Sequence, residues 1–122
     1  MDLKELYQEI ILDHAKNPRN KGKCENYNHD AKAYNALCGD KVHIYLNLEK
    51  GKNIKGLSFE GEGCAISLAS ASILTDTLKG KDLSFTKKVK NDFLKMIKTK
   101  SKITLNSLSE DQITTINSLS GV

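Results

Sequence analysis

Lys41-Val42-His43-Ile44-Tyr45-Leu46-Asn47-Leu48 is the stretch on which the fold turns. It alternates, with Val42, Ile44, Leu46 and Leu48 on one face and Lys41, His43, Tyr45 and Asn47 on the other. A period of two marks a half-buried strand, because successive side chains of a pleated chain leave on opposite sides. Glu49-Lys50-Gly51-Lys52-Asn53 then reads as a turn, and residues 54–60 as a second strand with Leu57 and Phe59 inward. A shorter strand is expected near residues 30–34. The alternating run is framed by two glycine-containing turns, Asn35-Ala36-Leu37-Cys38-Gly39-Asp40 and Gly61-Glu62-Gly63-Cys64-Ala65-Ile66. A hairpin between them brings both turns to one end of a small sheet.

Helices lie outside this core. Asp2-x-x-Glu5 resembles a capping box, and Leu3, Tyr7, Ile10, Ile11 and His14 follow at helical spacing. That helix should stop at Lys16-Asn17-Pro18, since proline disfavours helical geometry in the residue before it. His14 at its end is expected to face solvent or to cap, because helix C-termini favour cationic groups. Residues 19–35 are polar and irregular, and Cys24 in that loop has no partner ligand nearby, so it reads as a bystander thiol. Residues 64–78 are apolar on nearly every side, with small serines between, as in a buried helix packed close to a sheet. Lys79-Gly80 ends it. Phe85, Val89, Phe93, Met96 and Ile97 mark a second, amphipathic helix, and Ser109-x-x-Gln112 opens a third with Ile113 and Ile116 inward.

At 122 residues the chain reads as one domain, able to bury a core without staples. No apolar run is long enough for a membrane span and no leader pattern opens the sequence, so a soluble cytoplasmic protein is expected. The net charge of +4 is local, for residues 87–102 hold seven lysines against Asp92. A nucleic-acid surface would want arginine and aromatics in such a stripe, and Arg19 is the one arginine of the chain. A solvated helix face is the simpler reading, with docking of an acidic protein second. Three cysteines form an odd set without a secretory signal, which points to metal or thiol chemistry and away from a disulfide framework.

Cys38, Asp40 and Cys64 are the candidate site. Cys38 and Asp40 are separated only by Gly39, so a looped backbone can aim both side chains at one point. Cys64 opens a helix, where unpaired N–H groups and the dipole favour a thiolate, the better ligand and the better nucleophile. Zinc draws its four ligands from these residue types. Against this, isolated cysteines are often simply buried, and Cys-x-Asp is a weaker signal than paired Cys-x-x-Cys. The two glycine turns and the helix beginning at Cys64 favour a shared site.

Four stretches carry a family resemblance: residues 6–14 (Leu6-Tyr7-Gln8-Glu9-Ile10-Ile11-Leu12-Asp13-His14), Lys16-Asn17-Pro18-Arg19-Asn20, Asn35-Ala36-Leu37-Cys38-Gly39-Asp40, and residues 59–67 (Phe59-Glu60-Gly61-Glu62-Gly63-Cys64-Ala65-Ile66-Ser67). In this order they resemble the IscU/NifU N-terminal/SufU family of iron–sulfur cluster assembly proteins, and within it the SufU branch, whose insertion the segment after Gly80 also resembles. The resemblance implies an α+β fold with a three-stranded antiparallel sheet packed by helices. It implies a site that holds Zn2+ or a [2Fe–2S] cluster and takes persulfide sulfur from a cysteine desulfurase. Cys38 is then the first thiol ligand and the sulfur acceptor, Asp40 the carboxylate ligand and Cys64 the second thiol. No cysteine or histidine follows Cys64, so the family's third cysteine has no counterpart. Residues 1–122 therefore read as one such domain lacking the family's C-terminal segment, with a fourth ligand absent or borrowed from Cys24, a histidine, water or another chain.

The function expected is that of a sulfur relay or scaffold, not an enzyme in the turnover sense. Its partners would be a cysteine desulfurase and downstream iron–sulfur assembly or acceptor proteins, with no nucleic acid and no membrane. One alternative is a small cysteine hydrolase or transferase using Cys38 with His43 or His29 as base, but no third group orients that base. Another is a structural zinc interaction domain, which the lack of a fourth ligand disfavours.

Overall fold

The alternating stretch becomes the middle strand of a three-stranded antiparallel sheet. The computed structural model describes residues 1–35, 37, 39–99, 102–105 and 108–121. The strands are β1 (His29–Asn35), β2 (Asp40–Glu49) and β3 (Asn53–Glu62), in the order β1-β2-β3. The register pairs Ile44 with Phe59 and Leu46 with Leu57, and slips at a bulge between Asn47 and Leu48. It also sets Asn35 opposite Asp40 and Lys41 opposite Glu62, which fixes the end of the sheet where the two turns meet. Every residue of β1 is exposed, so the sheet is covered unevenly.

Four helices complete the fold: α1 (Leu3–Lys16), α2 (Ala65–Leu78), α3 (Leu83–Thr99) and α4 (Glu110–Asn117), followed by a 3-10 turn at Ser118–Gly121. α2 is the central layer, packed on β3 to one side and on α1 and α4 to the other. Its small residues allow this, since Ala69, Ser72 and Ile73 are fully buried. The main core joins Ile11, Ala69, Ile73, Val89, Met96, Ile103, Ile116 and Leu119. The expected caps are present. Asp2 accepts the Glu5 N–H at 2.8 Å, and Ser109 with Gln112 forms a complete capping box. The Asn117 side chain clasps the Ile103 backbone at both N–H (2.8 Å) and carbonyl (3.1 Å), pinning the segment between α3 and α4.

Three positions depart from the pattern read in the sequence. Tyr45, assigned to the polar face of β2, is 4% exposed, because Tyr27 packs edge-on against its ring at 5.0 Å. Ile97 is 51% exposed on α3 instead of inward. His14 is buried, not solvent-facing: its Nδ1 lies 2.7 Å from Ser72 Oγ, which also accepts the Arg19 N–H at 2.8 Å. One hydroxyl thus ties the end of α1, the following loop and α2 together. Ser72 looked like a small spacer in the sequence, and only tertiary contact reveals its task.

Burial, with the nearby Arg19 charge adding to it, pushes the His14 imidazole below its ordinary value, outweighing Asp13 and Asp76. Below about pH 6.5 the unfolded chain takes the proton first, so stability falls with acid through the window beneath that pH. His14→Gln should flatten this dependence. Melting temperatures of both proteins at successive pH values from neutral to about pH 5 would show it; parallel curves would disprove the coupling.

Candidate metal and sulfur site at the sheet end

The first residue of β2 and the residue before α2 meet at the expected end of the sheet. Asp40 is aimed by its place opposite Asn35 and by the pleat, which puts it on the same side as Val42 and Ile44. Cys64 is the N-cap of α2, in extended conformation with φ −73° and ψ 162°. The Cys64 N–H donates to Asp40 Oδ1 at 3.0 Å, and Cys64 Sγ stands 4.0 Å from Asp40 Oδ2. Ser67 N–H, in the first turn of α2, donates to Cys64 Sγ at 3.4 Å. The thiol is therefore exposed to solvent, capped by a helix N–H and beside a carboxylate.

Gly63 makes this approach possible, a role the sequence marked only by the Gly61-x-Gly63 pattern. Its φ is +143°, and a Cβ there would fall 2.1 Å from Asp40 Oδ1. Gly61 works similarly one register step back, where a Cβ would meet the Lys41 carbonyl at 2.8 Å. Both glycines let the β3–α2 connection lie directly against the start of β2.

Of the expected site residues, Asp40 and Cys64 are brought together. Cys38 lies outside the described residues; its neighbours are Leu37, 98% exposed, and Gly39, with φ +69°. Cys24 does not approach. It packs beside Gly56, six residues along β3 from Glu62, a separation of roughly 20 Å at strand rise. Its N–H is held by Ser58 Oγ at 2.8 Å. His43 points to the opposite sheet face, where Nε2 pairs with Asp30 Oδ2 at 2.6 Å and Nδ1 meets the Tyr45 hydroxyl at 3.0 Å. Tyr45 also donates to Glu60, and that bond pushes the phenol up to about 12. His29 Nδ1 contacts Asn28 Oδ1 at 2.8 Å. Both candidate bases of a hydrolase are thus engaged elsewhere.

The donor set suits a small divalent ion. Thiolate and carboxylate are ligands zinc accepts, and a separation of 4.0 Å between them is within the span of one ion bound to both. No group of three or more His, Cys, Asp or Glu side chains converges among the described residues. Beside the pair runs a cleft of about 550 Å3 between the sheet and α2, lined by Val42, Ile44, Leu57, Ile66, Leu74 and Leu78 among others.

The molecule is a small α+β domain in which a thiol and a carboxylate meet at a sheet end, where a helix begins. The chain belongs to the NifU-like N terminal domain family, whose pattern it matches over residues 6–116. It is 40% identical over 99 residues to the zinc-dependent sulfurtransferase SufU of Bacillus subtilis, an alignment covering 81% of this chain and 66% of that protein. It is 39% identical over 80 residues to the iron–sulfur cluster assembly scaffold protein IscU of Thermotoga maritima, covering 66% and 56%. The chain thus spans two thirds or less of the length of these curated relatives. Among solved structures, an iron–sulfur cluster assembly scaffold protein for the SUF system from Fervidobacterium islandicum superposes with a TM-score of 0.78 at 28% identity, covering 96% of this chain and 83% of the other. A NifU-like N-terminal domain from Brucella abortus shares the fold, with a TM-score of 0.79 at 19% identity over 97% and 78%. The expected α+β fold with its three-stranded antiparallel sheet is the one observed.

Proposed function

We propose that this protein accepts sulfur from a cysteine desulfurase for iron–sulfur cluster assembly, at a metal-binding site formed by Cys38, Asp40 and Cys64. The observation that carries the reading is the contact of Asp40 with Cys64 across Gly63, in a chain of the SufU and IscU family. Cys38 is the acceptor: its thiolate attacks the outer sulfur of the donor enzyme's persulfide. The donor S–S bond breaks, its cysteine leaves as thiolate, and a new persulfide remains on Cys38. Asp40 and Cys64 would hold the ion together with Cys38, and a bound zinc would keep such thiols ionised at neutral pH. The Ser67 N–H donates to Cys64 Sγ from the helix side and helps fix where the thiol points. The same donor set is open to an iron–sulfur cluster, and the zinc-dependent name of the Bacillus subtilis relative favours zinc here.

Metal analysis of the purified protein beside Cys38→Ala, Asp40→Ala and Cys64→Ala tests the site. We expect bound zinc in the parent and a loss of affinity of at least roughly tenfold to a hundredfold in each variant. Metal content indifferent to all three changes would remove the shared site. Cysteine turnover by a desulfurase, with and without this protein, tests the relay. Stimulation by the parent and none by Cys38→Ala is expected.

A further inference from the structure

α3 presents two faces. Val89 and Met96 enter the core, with Phe85 and Phe93 packed beside them. At about 100° per residue, the far side of the helix carries Lys87, Leu94 and Lys98, with Lys90 and Ile97 along one margin and Lys88 and Lys95 along the other. All five lysines are exposed, and none has an ion-pair partner among the described residues. Against them the helix carries the single acid Asp92. On this outer face Leu94 is 44% and Ile97 51% exposed. A merely solvated face has no use for a leucine opposite its own core residues and an exposed isoleucine at its margin. Apolar side chains ringed by unpaired like charges are the anatomy of a contact surface, with an apolar centre and a polar rim.

We propose that this outer face of α3 docks an acidic patch on the sulfur-donating enzyme. The inference rests on the sulfur-acceptor reading above. Charge complementarity sets the partner's chemistry: carboxylates opposite Lys87, Lys90 and Lys98, around an apolar notch that takes Leu94 and Ile97. The lysines steer encounter and the apolar pair slows departure. Two side chains without an aromatic are too little apolar area to seat a helix in a lipid interface. Lysines without arginine or aromatics also fit a nucleic acid poorly. A second copy is the strongest competitor, because α1 exposes Leu12 near Glu5 and Glu9.

The test titrates the organism's cysteine desulfurase with the parent protein, with Lys87→Glu/Lys90→Glu/Lys98→Glu, and with Leu94→Ser. Both direct binding and stimulated cysteine turnover are followed between about 50 and 500 mM salt. The charge reversal should raise the half-saturating concentration at low salt by roughly tenfold or more and flatten its salt dependence, leaving maximal stimulation and metal content unchanged. Leu94→Ser should weaken binding at every salt concentration. The triple glutamine variant, with milder surface change, should fall between parent and reversal. If the parent stimulates and the variants titrate like it, the docking surface is wrong and the relay stands. If the parent neither binds nor stimulates, both fail. Binding to anionic phosphatidylserine vesicles in place of the enzyme, or a salt-sensitive dimer in sedimentation that the charge reversal dissolves, would also overturn it.

Discussion

Gly63→Ala should strip the protein of most of its metal affinity while leaving it folded. The added methyl would lie 2.1 Å from Asp40 Oδ1 and 2.9 Å from Asp40 Cγ, far inside contact distance. The φ of +143° is moreover one that alanine resists. Asp40 must swing away or the chain must shift, and either breaks the bond to Cys64 N–H and separates the two proposed ligands. Loss of a group that only orients ligands typically weakens metal binding by about 10–100-fold, and displacing a ligand outright costs more. Gly51→Ala is the control. It also has positive φ, at +71°, but nothing within 4 Å of the new Cβ, so only backbone strain of about 1 kcal/mol should appear. Metal titration of the two variants, each with a thermal melt, separates a site effect from a general one. Equal metal affinity in both would show that Gly63 has no role in placing Asp40.

Phe59→Ala is expected to be the most destabilising of the simple truncations, by about 3–5 kcal/mol in chemical denaturation. Phe59 is 0% exposed, sits opposite Ile44 in the register, and its backbone receives the loop before β1 on its other side. Asn20 accepts its N–H at 2.9 Å and Gly22 donates to its carbonyl at 2.7 Å. Removing the ring leaves a cavity between sheet and helix that α2 cannot close, being held to α1 through Ser72. A loss under about 1 kcal/mol would mean that the site collapses freely and that the sheet end is less rigid than its hydrogen bonds indicate.

The strands and helices were legible because each was specified locally. The alternation of 41–48 marked β2, the glycine turns marked the meeting point, and Ser109-x-x-Gln112 announced a helix start that the hydrogen bonds complete. Asp40 and Cys64 were legible as partners for the same reason, with glycine beside each. His14 and Tyr45 were not. A helix-terminal histidine and a strand tyrosine look solvent-bound in one dimension, and only Ser72, 58 positions on, and Tyr27, from the loop, bury them. Ile97 failed in the opposite direction: periodicity placed it near the core edge, and the packing of α3 through Val89 and Met96 left it outside. Patterns report what a residue's neighbours in sequence demand; they are silent about contacts made across the fold.

The bare outer strand β1 has a consequence for the order in which the molecule comes apart. With no buried side chain and one edge free, β1 is held by its ladder with β2 and by the partly exposed Asp30–His43 pair across that ladder. Local opening is cheapest where burial is least. The Asp40–Cys64 contact depends on β2, Gly63 and α2, and on nothing in β1 beyond Asn35 opposite Asp40. The sheet can therefore shed its outer strand in a partial unfolding event while two of the three proposed ligands stay in register.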